Sequence, residues 1–83
     1  MKEKDLTNLG FVRNDDNDGG NKYYYYTLEI GNDYLPFCLI TNSSDEAGDN
    51  NWEVYIFDYE SILFTDLEQL TKLINLLKNN IKN

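Results

Sequence analysis

In "KYYYYTLEI", residues 22 to 30, four adjacent tyrosines run into alternating polar and apolar positions. Tyr24, Tyr26, Leu28 and Ile30 fall on one side of an extended chain, and Tyr23, Tyr25, Thr27 and Glu29 on the other. The aromatic and β-branched content predicts a strand, and "GND" predicts a tight turn into "YLPFCLIT", residues 34 to 41. There Leu35, Phe37 and Leu39 alternate with Tyr34, Cys38 and Ile40. Pro36 has no N–H to give a ladder, which puts it at the start of that strand or on a sheet edge. "WEVYIFDY", 52 to 59, predicts the next strand, with Trp52, Val54 and Ile56 opposite Glu53, Tyr55, Phe57 and Tyr59. "ILF", 62 to 64, fits either a short fifth strand or the lead into a helix.

After residue 64 the period changes. Leu67, Leu70, Ile74, Leu77 and Ile81 recur at helical spacing, flanked by Leu73 and Leu76. Thr65 and Glu68 have the spacing of a capping box, and Asp66 and Glu68 near the start with Lys78 and Lys82 near the end suit the helix dipole. Residues 3 to 9 predict a short helix or turn closed by Gly10, before "FVR" begins an extended segment. "NDDNDGGN" (14 to 21) and "NSSDEAGDNN" (42 to 51) carry the Asn, Asp and Gly of loops between strands.

The pattern predicts an α+β fold, a four- to five-stranded antiparallel meander with one C-terminal helix packed on one face, and residues 1–83 as a single domain. One helix covers one face of such a sheet, and its Leu/Ile stripe matches Leu28, Ile30, Leu35, Phe37, Leu39, Val54 and Ile56. The second face would then display Tyr23, Tyr25, Tyr34, Tyr55, Phe57 and Tyr59 beside Glu29 and Glu53, unless the N-terminal segment or sheet twist hides it. Exposed tyrosine-rich area in so small a protein points to a partner.

Charge sharpens that expectation. The formal charge is −8, and residues 1 to 60 hold thirteen acids against four bases, whereas residues 61 to 83 hold two acids against three bases. A sheet region this acidic repels phosphates and attracts a basic protein surface. Direct nucleic-acid binding is therefore not expected. With no histidine and one cysteine, zinc sites, histidine acid/base chemistry and a disulfide framework drop out. The charged N-terminal residues do not read as a signal peptide, and no apolar run approaches the roughly 20 residues of a membrane span. A soluble protein of a reducing bacterial cytoplasm is the expectation.

Catalytic motifs are absent from the sequence. Asn14, Asp16, Asp18 and Gly19 mimic the start of a calcium loop, but Tyr25 stands where that loop needs a bidentate Glu. Carboxylate pairs such as Asp45 with Glu46, or Asp58 with Glu60, read as solvated loop acids, and Cys38 reads as a packing residue. Asn42-Ser43-Ser44 matches a glycosylation sequon by chance in an Asn-rich chain. Neither a metal nor a cofactor is expected.

Taken together, "LGF", the tyrosine strand, "WEVYIF" and "ILFTDLEQLTKLINLL" resemble small acidic proteins encoded by phages and mobile elements of low-GC bacteria, among them the anti-CRISPR inhibitors. The resemblance implies a non-enzymatic protein that evades host defence by binding the basic guide- or target-binding surface of an RNA-guided nuclease. Asp15, Asp16, Asp18, Asp45, Glu46 and Asp49 are the expected charged contacts, and Tyr23, Tyr25, Tyr55 and Tyr59 the anchors. Two other classes fit the same features: an immunity protein neutralising a bacterial toxin, and a small homo-oligomeric phage structural or assembly protein. A homodimer is compatible with all three.

Overall fold

Gly19 and Gly20 take positive φ, 58° and 96°, and close a two-residue turn between Val12–Asp18 (β1) and Asn21–Gly31 (β2). Turns with two positive φ angles match the twist of the strands they join. The Asp-rich segment expected to be a loop is therefore a strand. Long β2 supplies its template, pairing Val12 with Thr27 and Asp18 with Asn21.

The computed structural model describes residues 1–31 and 36–81. Besides β1 and β2 it contains α1 (Glu3–Asn8), β3 (Pro36–Thr41), α2 (Ser44–Ala47), β4 (Val54–Ile56), β5 (Tyr59–Phe64) and α3 (Leu67–Asn80). The strands form one antiparallel sheet in chain order, with β1 and β5 at its edges. This is the expected α+β meander with a C-terminal helix. Pro36 opens β3, as its missing N–H requires. Asn32 and Asp33 of the expected "GND" turn, with Tyr34, Leu35 and Lys82, lie outside the described residues.

The core lies on one side of the sheet. Tyr26, Ile30, Leu39, Trp52 and Val54 are buried there beneath Leu70 and Ile74 of α3. Phe37, Ile56, Leu73, Leu77 and Ile81 are partly buried and pack around them. Thus Tyr24, Tyr26, Leu28 and Ile30 form the inner row of β2, and Leu39 and Val54 fix the inner rows of their strands. Leu76, placed beside the stripe by spacing, is 62% exposed.

The N-terminal segment joins this same side. After α1 the chain turns through Gly10 at φ 97°, with Phe11 N–H donating to Leu6 O and Gly10 N–H to Thr7 O. That pair of bonds is a Schellman cap, and its usual apolar contact is supplied by buried Leu6 and Phe11. Glu3 accepts the hydroxyls of Tyr24 and Tyr26, and Met1 N donates to the carbonyls of Asn50 and Trp52.

Three expectations shift. The segment 52 to 59 is not one strand, because Asp58 takes φ 71° and reverses the chain, so that Tyr59 begins β5 opposite Ile56. Asp tolerates this left-handed conformation better than most residues. The loop 42 to 51 contains the single helical turn α2, whose Ala47 is fully buried. Helix α3 is capped by Asp66, which accepts from Gln69 N–H at 3.3 Å, and not by Thr65.

β3 pairs with β2 only over residues 27 to 31 of the longer strand. Beyond that point side chains stand in for a neighbouring strand: Tyr26 N–H donates to Thr41 Oγ1 at 2.9 Å and Tyr24 N–H to Ser44 Oγ at 3.1 Å. The β1–β2 ribbon is thereby anchored beside α2.

Candidate partner-binding surface

The face of the sheet away from α3 is built by register. Residues directly opposite one another point the same way. Val12, Thr27, Ile40, Tyr55 and Leu63 therefore form one row across all five strands. Asn14 with Tyr25 and Asp16 with Tyr23 continue it along the ribbon, and Glu29 with Cys38 flanks it on the other side. Val12 is 63% exposed and Leu63 44%, while Tyr23, Tyr25, Ile40 and Tyr55 are half-buried. Among the described residues, no helix packs over this row.

The tyrosines are held in place. Tyr23 donates its hydroxyl to Asp16 Oδ2 at 3.1 Å and lies 6.5 Å from the Tyr25 ring. That hydrogen bond, with burial and the charges of Asp16 and Asp18, raises the Tyr23 pKa. Asn14 donates to Thr27 Oγ1 at 2.9 Å and to its own strand at Val12 O. Burial raises the Tyr55 pKa, and the nearby carboxylates of Glu53, Glu46 and Glu60 add to it. Two shallow grooves meet at Glu46. One, of about 440 Å³, is lined by Ile40, Thr41, Asn42, Glu46, Tyr55 and Glu60. The other, of about 280 Å³, runs past Asp18, Tyr23, Asp45 and Glu46.

Charge separates between the two sides of the sheet. Arg13 lies opposite Tyr26 and Lys22 opposite Asn17, so both belong to the inner side. Arg13 sits 3.7 Å over the Tyr24 ring and pairs with Asp15 at 2.9 Å. Lys2 flanks α1, Lys4 lies on it, and Lys72 and Lys78 lie on α3. By register and by helix the described lysines and arginine fall on the helical side with Glu3, Asp5, Asp15, Asp66 and Glu68, Arg13 and Lys22 reaching a groove at the β1–β2 edge that Asp16 and Tyr23 also line and Lys78 one that Glu29 lines, whereas Asp16, Asp18, Glu29, Glu46, Glu53 and Glu60 border the open face.

No protein-family model, curated protein or solved structure matches this chain.

Of the residues expected at a partner surface, Tyr23, Tyr25, Tyr55, Asp16, Asp18, Asp45 and Glu46 come together on the open side. Asp15 falls on the inner side, tied to Arg13. Tyr59 lies opposite Ile56 at the β4–β5 turn and is 64% exposed, and Phe57 beside it is 52% exposed. Asp49 is exposed in the connection after α2. Glu60, Asn14, Val12 and Leu63 are surface residues that alternation alone did not select. Their placement depends on the two turns, at Gly19-Gly20 and at Asp58, that set the register of the edge strands.

Asn14, Asp16 and Asp18 sit on one strand face, and among the described residues no group of three or more His, Cys, Asp or Glu is gathered closely enough to hold a metal ion. The Cys38 thiol is pushed up by burial and by Glu29, away from the thiolate a nucleophile needs. Asn42 is buried, its amide donating to Asn51 O and accepting from Glu53 N–H, so its sequon is closed in the folded chain.

Proposed function

We propose that the protein is a non-enzymatic inhibitor that lays its open sheet face on a basic surface of a nucleic-acid-handling defence protein. The separation of charge carries this reading: an apolar, tyrosine-bearing row bordered by six carboxylates, with the described cations placed by register and by helix on the other side of the sheet. Acidic groups placed around half-buried aromatics steer a basic partner and then offer it the open sides of the rings to bury. The resemblance to anti-CRISPR proteins names the kind of partner, the guide- or target-binding surface of an RNA-guided nuclease in a bacterial cytoplasm.

The test is a cleavage assay. Purified protein is titrated into a panel of guide-loaded RNA-guided nucleases, with binding followed in parallel by calorimetry at low salt. Loss of cleavage at about one equivalent, relieved by the pair Asp16→Lys and Glu46→Lys, is the expected result. Unchanged cleavage and no binding across the panel would sink the nuclease-inhibitor reading, and protection of a co-expressed toxin's substrate would move the assignment to an immunity protein.

A further inference from the structure

Arg13 shows how this chain holds an arginine of its own. Its guanidinium lies 3.7 Å over the Tyr24 ring, and Nε and Nη2 both donate to Asp15 Oδ1, at 3.1 and 2.9 Å. A planar, weakly hydrated guanidinium suits a ring face and a carboxylate at once better than an ammonium does.

On the open side the same kinds of group meet without a cation. The groove of about 440 Å³ brings Glu46 of α2 and Glu60 of β5 together with half-buried Tyr55 and with Ile40. The β4–β5 pairing steps from Leu63 opposite Tyr55 to Tyr59 opposite Ile56, and Glu60 lies in the stretch of β5 that this step leaves out of the ladder. Burial first, then the charges of Glu53, Glu46 and Glu60, raises the Tyr55 pKa, so these carboxylates act at the ring. Among the described residues, ion pairs join Arg13 to Asp15 and Lys72 to Glu68, and none reaches Glu46 or Glu60. Residues 58 to 68 add Asp58, Asp66 and Glu68 to Glu60 and hold no base, so a cation for this groove comes from outside that segment.

We infer, resting on the reading that the open face meets a basic surface, that this groove takes an arginine side chain of the partner, its guanidinium on the Tyr55 ring and hydrogen-bonded to Glu46 and Glu60, its stem along Ile40. Five donors in a fixed fork let one guanidinium serve two carboxylates, whereas a lysine offers a point charge. Phosphate-binding surfaces carry both residue types, and the groove selects between them.

The test is a nuclear magnetic resonance titration of the ¹⁵N-labelled full chain with the capped peptides Gly-Arg-Gly and Gly-Lys-Gly at equal ionic strength, up to about 20 mM, a range that brackets millimolar affinity. The arginine peptide should shift Ile40, Glu46, Tyr55 and Glu60 along a saturating curve, with an apparent Kd at least about threefold below that of the lysine peptide. Tyr55→Leu, which keeps both carboxylates, should erase the preference for arginine. Glu60→Gln, an exposed change that spares the fold, should weaken the arginine peptide at least about twofold. Equal affinities for the two peptides, or no saturable shift at the groove, overturn the proposal. Arginine binding that depends on Tyr55, in a protein that inhibits no nuclease, leaves the groove standing and sinks the nuclease reading; inhibition by a protein that does not distinguish the peptides does the reverse.

Discussion

Glu3 and Tyr26 meet across 23 positions of sequence: the Tyr26 hydroxyl donates to Glu3 Oε2 at 2.5 Å, and Tyr24 donates to the other oxygen at 3.0 Å. One carboxylate therefore satisfies two tyrosine hydroxyls of the inner row and ties α1 to β2. Replacing it strands both donors, and the partly desolvated hydroxyls lose a charged acceptor. Glu3→Ala should cost about 1–3 kcal/mol in urea unfolding, and Glu3→Gln, which keeps an acceptor, clearly less. Equal losses for the two would show that an amide oxygen cannot replace the carboxylate, and a negligible loss for Glu3→Ala would show that the two hydroxyls do not depend on it.

Alkaline pH acts on the same pair. Burial, then the bond to Glu3 and its charge, pushes the Tyr26 pKa up to about 12, against about 10 for an unfolded tyrosine. The folded chain thus keeps a proton that the unfolded chain has lost, so stability falls as pH rises through that interval. The contribution is complete below about pH 10 and gone above about pH 12. Unfolding midpoints measured from pH 9 to the alkaline limit should drop, and Tyr26→Phe should flatten the part of the slope that Tyr26 supplies.

The start of α3 is the simplest place to separate two residues with the same local signature. Thr65 has Glu68 three positions on, but the helix uses Asp66, whose carboxylate takes Gln69 N–H. Asp66→Ala should cost about 1 kcal/mol and Thr65→Ala within about 0.5 kcal/mol. A reversal of that order in urea titrations would restore the Thr65 cap.

Strand alternation in residues 23 to 30 and 37 to 40, and the leucine stripe of α3, were legible because one buried face forces one period. Tyr26, Leu39, Leu70 and Ile74 all lie where that period puts them. The missed features are settled elsewhere. β1 is a strand because Gly19 and Gly20 permit a tight reversal and β2 offers a free edge, although its own residues are turn formers. β4 is short because Asp58 reverses the chain, which moved Tyr59 off the face it was expected to share with Tyr55. Asp15 was misplaced for the same kind of reason: once β1 is a strand, Asp15 and Asp16 must point to opposite sides.

The four adjacent tyrosines divide into two pairs with different jobs. Tyr24 and Tyr26 surround Trp52 at centroid distances of 5.9 and 5.4 Å, whereas Tyr23 and Tyr25 lean on each other over the open face. Tyr26→Thr should cost about 3–5 kcal/mol, the range of large-to-small changes in a core. Tyr23→Thr and Tyr25→Thr should each cost about 1 kcal/mol or less. Several kcal/mol lost from the second pair would make those rings part of the core and remove the apolar anchors from the proposed interface.

Partner affinity should separate along the same surface into a charge part and a ring part. Exposed carboxylates act through a field that salt shortens, from a Debye length of about 14 Å at 50 mM to about 4 Å at 500 mM. Contacts that bury Tyr23, Tyr25 and Tyr55 are much less sensitive to salt. For a captured partner, the association rate of the wild-type protein should fall at least about tenfold over that salt range, with the dissociation rate nearly constant. Glu46→Lys should lower the low-salt association rate and make it less dependent on salt, because Glu46 borders both grooves. Tyr55→Ser should instead raise the dissociation rate and leave the salt slope unchanged. If Glu46→Lys altered neither rate, the acidic grooves would not be where the partner lands.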